Sequence, residues 1–174
     1  LSSNYLNGID SDIDDEGLNA LAAGMSNCHR LTRLALQSNG LINAGGSTLF
    51  QSERCHLKDL NLSFGNIDDE GAVALATGLP IINVLETLNL DHNSIGDDGA
   101  GALADRLIHL RSLKGLYLFN NSIGDLGLQA LADGISNCSN LSNLCLSRNT
   151  SISVVGLRSL SALLSSDSCS LTGL

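Results

Sequence analysis

Tryptophan is absent from this 174-residue chain, proline and methionine occur once each, and Tyr and Phe together supply only five aromatics. An ordinary domain of this size fills much of its core with large rings, so many small, similar contacts must replace them here. Basic residues are scarce as well: nine Lys plus Arg face 18 Asp plus Glu, a formal charge of -9. That balance speaks against nucleic acid and anionic membrane as partners and leaves a basic protein partner open. No stretch of 18 or more residues is free of polar interruption, which argues against a membrane-spanning helix. Cysteine is present five times, an odd number, without a Cys-x-x-Cys pair or a Cys/His ligand spacing. Four of the five, Cys28, Cys55, Cys138 and Cys169, stand just before the Leu that opens a new unit. A residue repeated at one structural place reads as a small buried hydrophobe in a stacked row, and the compartment reads as reducing and cytoplasmic.

What the chain has instead is leucine, 35 residues in all, and 18 glycines. Placing Leu31, Leu57, Leu85, Leu113 and Leu141 in register exposes a period of 28 residues, with units of 26 and 30 at the edges. Residues 85–112 give the clearest unit, with Leu at places 1, 4 and 6, Asn at 9, Ile at 11, Gly at 15 and Leu at 19. About six units fit, and residues 1–174 read as one repeat domain, a piece of a longer solenoid.

Within a unit the apolar spacing changes. Leu88-Asn89-Leu90 alternates, the period of a short strand buried on one face. After Gly99 the apolar residues fall at Ala102, Leu103 and Leu107, which is helical spacing. Strand then helix every 28 residues requires parallel strands joined by crossovers. No unit can cover its own Leu face, so the expected fold is an α/β solenoid with strands inside and helices outside.

The other signature residues have physical tasks. Asn39, Asn93, Asn121 and Asn149 sit where the chain leaves the strand, and an amide can donate to and accept from turn backbone. Two residues before each helix-opening Gly stand Asp15, Asn43, Asp69, Asp97, Asp125 and then Val154; the first five read as caps of their own helices, and Val154 predicts an altered or frayed helix start. Gly65 occupies the place of the turn Asn, with Asn66 one residue late, so that turn must be held by Asn66, by water or by a neighbour.

The string Leu-x-x-Leu-x-Leu-x-x-Asn-x-Ile-Gly-Asp-Asp-Gly-Ala-x-Ala-Leu-Ala resembles the long leucine-rich repeat of the ribonuclease-inhibitor type. Repeats of that type are also those of nucleotide-binding innate immune receptors and of the activator of the GTPase Ran. The resemblance covers the chain and implies a horseshoe used for protein recognition. It also implies two rivals: a regulator of GTP hydrolysis acting through rim loops, or a sensor segment of an immune receptor.

No catalytic constellation stands out. There is no phosphate-binding loop with Lys, no zinc-binding His pair and no Gly-x-Ser-x-Gly elbow, so no enzyme, cofactor or metal is called for. The string from Asp10 to Gly17 opens like a calcium loop, but Asp15 stands where Gly is needed and Leu21 where a bidentate Glu is needed. Asn-x-Ser/Thr triplets, such as those beginning at Asn61 and Asn137, follow from an Asn- and Ser-rich repeat.

The inner face is more informative. Places 3, 5 and 7 of each strand should point away from the Leu face, with place 8 at its edge. Four of the five aromatics, Tyr5, Phe64, Tyr117 and Phe119, fall on these places. Solvent gives no reason for them, and aromatics are enriched in binding hot spots. With His92, Asp91 and Arg148 they form the expected partner-binding set, and Phe64, His92, Tyr117 and Phe119 should span about 10 Å across three neighbouring strands. Eleven of the 18 acids lie in the strand-to-helix loops, which predicts an acidic rim that steers a basic partner.

Overall fold

The computed structural model describes residues 17, 20, 21, 23, 24, 30–38, 56–79, 83–167 and 169–174. Its elements alternate as β1 (Arg33–Ala35), β2 (Asp59–Asn61), α1 (Asp69–Gly78), β3 (Thr87–Asn89), α2 (Asp97–Leu107), β4 (Gly115–Tyr117), α3 (Asp125–Ile135), β5 (Asn143–Cys145) and α4 (Val154–Leu164). The five strands form one parallel sheet in chain order. Register follows the repeat without slippage: Leu34, Leu60, Leu88, Leu116 and Leu144 stand side by side. All five are buried, as are the rows formed by Leu57, Leu85, Leu113 and Leu141 and by Ile67, Ile95 and Ile123. Each row is a chain of like contacts between neighbouring units, which is how a core with almost no rings is filled.

The helices supply the other wall. In α2 the buried residues are Gly99, Ala100, Leu103, Ala104 and Leu107, the stripe expected from helical spacing. Neighbouring strands lie about 4.8 Å apart, whereas packed helices need about 8–10 Å, so stacking bends the solenoid with the sheet on the concave side. Cys138 is buried in the core, and burial pushes its thiol pKa up, so it packs as a neutral apolar group.

The turns are held differently from the sequence expectation. Each buried Asn serves the unit before its own. Asn93 Oδ1 accepts from Ile67 N–H at 3.0 Å, and its amide donates to Leu62 O at 3.1 Å and to its own unit's Leu90 O at 2.9 Å. Asn121 repeats this on Ile95 N–H and Leu90 O, and Asn149 on Ile123 N–H and Leu118 O. Gly65 therefore does not deprive its own turn, because Asn93 Oδ1 also accepts from Gly65 N–H at 2.9 Å. The neighbour, among the three expected alternatives, supplies the bond.

The aspartates reach the opposite way. Asp69 Oδ1 accepts from Gly96 N–H at 2.7 Å and Gly99 N–H at 2.9 Å, both in the following unit. Asp97 does the same for Gly124 and Gly127, and Asp125 for Ser153 and Gly156. These acids cap the next helix, not their own; α1 is capped by Asp68, which accepts from Gly71 N–H. The glycine at place 15 is needed for this approach. A Cβ on Gly99 would come within 2.7 Å of Asp69 Oδ1 and 2.9 Å of Ala72 Cβ. Hydrogen bonding from Ser153 Oγ–H and N–H and from Gly156 N–H lowers the Asp125 pKa. Val154 leaves the α4 start in place: the helix begins at Val154, with Ser153 as its cap and Asp125 behind it.

The two directions are separable. Asn93→Ala should destabilise by about 1–3 kcal/mol and speed amide exchange at Gly65 and Ile67, in the preceding unit. Asp97→Ala should speed exchange at Gly124 and Gly127, in the following one. Hydrogen exchange read by NMR checks both, and faster exchange confined to each variant's own unit would contradict the assignment.

Candidate protein-binding surface

Interstrand backbone pairing continues past the strand ends to place 8. Phe64 N–H donates to Asp91 O at 3.0 Å, His92 N–H to Phe119 O at 2.8 Å, and Asn120 N–H to Ser147 O at 2.9 Å. At this place the chain turns out of the sheet, and every described residue there is left-handed: Ser38 (φ 60°), Phe64 (56°), His92 (55°), Asn120 (53°) and Arg148 (61°). For residues with a Cβ that conformation costs about 1–2 kcal/mol, and glycine would avoid the penalty. Phe, His and Arg occupy it here.

Their side chains form a column across four units. The Phe64 and His92 rings stack with centroids 4.1 Å apart and planes 10° from parallel. His92 meets Phe119 edge-on at 5.0 Å, and the Arg148 guanidinium lies over the Phe119 ring at 5.5 Å. Asn120 Nδ2 lies 3.2 Å from His92 Nδ1. A side-chain –NH2 can only donate, so the contact uses Nδ1 as acceptor and leaves the neutral ring's proton on Nε2. Phe64 remains 52% exposed at one end of the column, and Arg148 is exposed at the other.

Of the seven expected residues, Phe64, His92, Phe119 and Arg148 are thus brought together. Asp91 does not join the column; its Oδ1 accepts from Phe119 N–H at 2.7 Å and so holds the backbone that carries that ring. Tyr117 faces the concave side but does not join the column. Its ring lies back over Gly115, where a Cβ would come within 2.9 Å of Tyr117 Cε2. Tyr5 lies outside the described residues. Asn120 was missed by sequence reasoning, because nothing in a lone polar residue signals that it will meet a ring one unit away.

The charges divide between the two edges. Asp59 pairs with Arg33 at 3.3 Å on neighbouring strands, so the two charges offset each other on the concave floor. At the helix-to-strand edge Glu86 receives Lys114 at 2.7 Å and Lys58 at 2.8 Å. Hydrogen bonds from the two ammonium groups, Lys114 first, hold the Glu86 carboxyl down at about 2. Its lowered pKa means that any contribution to stability is present above the ordinary carboxylate range and lost as pH falls through about 2. Glu86 is half-buried and both lysines are exposed, so solvent screens the bridge and that contribution is small. On the other edge the expected acidic rim holds for Asp68–Glu70 and Asp97–Asp98, but in the next two units the helix starts present exposed Leu126, Val154 and Val155. The acidic string from Asp10 to Glu16 lies outside the described residues.

Three short segments, 54–76, 83–104 and 109–132, match a family model described as "Leucine Rich repeat". No curated protein matches the chain. Among solved structures it is similar to actin-binding site 2 of leiomodin-1, with 20% identity, 89% of each chain covered and a TM-score of 0.64. It is also similar to the C-terminal domain of tropomodulin from Caenorhabditis elegans, with 15% identity, 87% of this chain and 91% of that one covered, and a TM-score of 0.66. Likeness at these identities is likeness of fold.

The Glu86 bridge gives a local electrostatic test. In NMR titration the Glu86 carboxyl should titrate near 2 and move up toward the ordinary carboxylate range in the Lys58→Met/Lys114→Met variant. An unchanged titration would show that the two lysines do not hold it.

Proposed function

Starting from a chain that is a leucine-rich-repeat solenoid, we propose that it is a non-catalytic recognition scaffold that binds a protein partner through the ring column Phe64, His92, Phe119 and Arg148. The observation that carries this reading is the column itself. Four bulky or charged side chains from successive units meet on an otherwise polar edge, three of them at left-handed residues where glycine would be less strained. Bulky side chains kept at left-handed, partly exposed residues point to a use for the surface they form. The stacked rings offer flat faces to an aromatic, proline or guanidinium group of the partner, and the polar residues around them can exclude water once it docks.

The partner is a protein, and a basic contact surface on it suits the acids of the rim. The solved leiomodin-1 structure is titled for an actin-binding site, which makes actin the first partner to try. Free Cys138, Cys145 and Cys169 support a reducing, cytoplasmic setting for the reading.

The test uses variants chosen to keep the turn intact. Asn tolerates the left-handed conformation, so Phe64→Asn removes the ring without straining the backbone further. A photo-crosslinking residue at position 119 should capture the partner, and the same residue at Arg158 on the convex side should not. Phe64→Asn and Phe119→Ala should each weaken the captured partner's binding by about 2 kcal/mol or more, with unfolding midpoints nearly unchanged. Variants that unfold, or that bind as well as the parent chain, would show that the rings are packing residues.

A further inference from the structure

The second residue of each helix is one repeated place on the strand-to-helix edge. Through four successive units it carries Glu70, Asp98, Leu126 and Val155. All four are exposed, Leu126 at 71% and Val155 at 65%. The row therefore reads acid, acid, apolar, apolar. Leu126 is not an end effect, since its helix is packed between α2 and α4 and still leaves the side chain in solvent. Capping does not account for it either. In a first helical turn an acid is the favourable choice, and the two earlier units use one. The apolar stretch is widened by Val154, which is also exposed and stands where earlier units place an aspartate.

We propose that this edge docks an amphipathic helix of a partner protein, basic toward Glu70 and Asp98 and apolar toward Leu126 and Val155. The occupant follows from charge complementarity and length. No Lys or Arg occurs in residues 66–70, 94–98, 122–126 or 150–155, so nothing on this edge neutralises Glu70 and Asp98. At the helix starts the N–H groups of Gly71, Gly96, Gly99, Gly124, Gly127 and Gly156 are met by Asp68, Asp69, Asp97 and Asp125, so Glu70 and Asp98 take no part in those bonds and face solvent. Packed helices lie about 10 Å apart, so the row spans about 30 Å. A helix of about 20 residues has that length. The docking edge stands on these residues alone and does not require the ring column.

The probe is a fluorescein-labelled synthetic peptide of about 20 residues, helical in design, with Leu at every third or fourth place in one half and Lys in the other. Fluorescence anisotropy with the full chain should give saturable binding. Leu126→Ser/Val155→Ser should weaken it at least tenfold without lowering Tm, since both side chains are in solvent. Glu70→Gln/Asp98→Asn should also weaken it at least tenfold and flatten its salt dependence. Asp105→Asn/Asp133→Asn, which removes the same charge from other exposed places on α2 and α3, should leave it within twofold. Absence of saturable binding, unchanged affinity in the Ser variant, or equal losses in the two charge variants would overturn the proposal. Loss of the peptide in Phe119→Ala would also overturn it, by moving the contact to the ring column.

Discussion

Three successive turns of the described solenoid are each completed by the unit that follows. The amide of each buried Asn reaches back to the unit before it, and the carboxylate of each ladder Asp reaches forward to the helix start after it. A buried N–H or C=O without a partner costs about 1–3 kcal/mol, so a unit standing alone would carry several such penalties together with an uncovered Leu face. Stacking removes both at once. The same exchange fixes register, because a slip of one residue would move the Asn and the Asp away from their amides as well as turning the leucines outward.

This constraint explains how the surface is built. Place 8 lies between the sheet, whose hydrogen bonds extend to it in the units of Phe64, His92 and Asn120, and place 9, where Asn93 and Asn149 bond back to the place-6 carbonyls of their own units and Gly65 N–H is held by Asn93 of the next. A backbone held on both sides can keep a left-handed Phe, His or Arg that a free loop would relax. Their rings then stand at a common height in successive units and meet. The recognition column is a consequence of the repeat, with only the side chains at place 8, and Phe119 at place 7, left for the sequence to choose.

How much of this could be read in advance depended on the range of the interaction. Strand, helix, period and core rows were legible because they follow from apolar spacing inside one unit, as Leu88, Leu90 and Leu103 show. Four of the seven expected site residues met because place 7 or 8 in one unit implies a neighbour in the next. The direction of the Asn and Asp bonds was not legible, since Asp97 before Gly99 looks like a local cap and only the stacked geometry shows that it serves Gly124 and Gly127. Tyr117 shares the concave face with the column, yet its ring rotates onto Gly115, a side-chain choice that spacing does not encode. The acidic rim follows from the total charge of its loops, which hides the change from Asp98 to Leu126 along a single row.

Recognition through this edge requires the rings to be in contact in solution and not merely near one another. With Phe64 stacked 4.1 Å from His92, the imidazole carbon protons lie over a ring face and should resonate upfield of their positions in Phe64→Asn, when both are compared at a pH where the imidazole is neutral. Identical His92 proton shifts in the parent chain and the variant would contradict the column, and with it the surface on which recognition is argued.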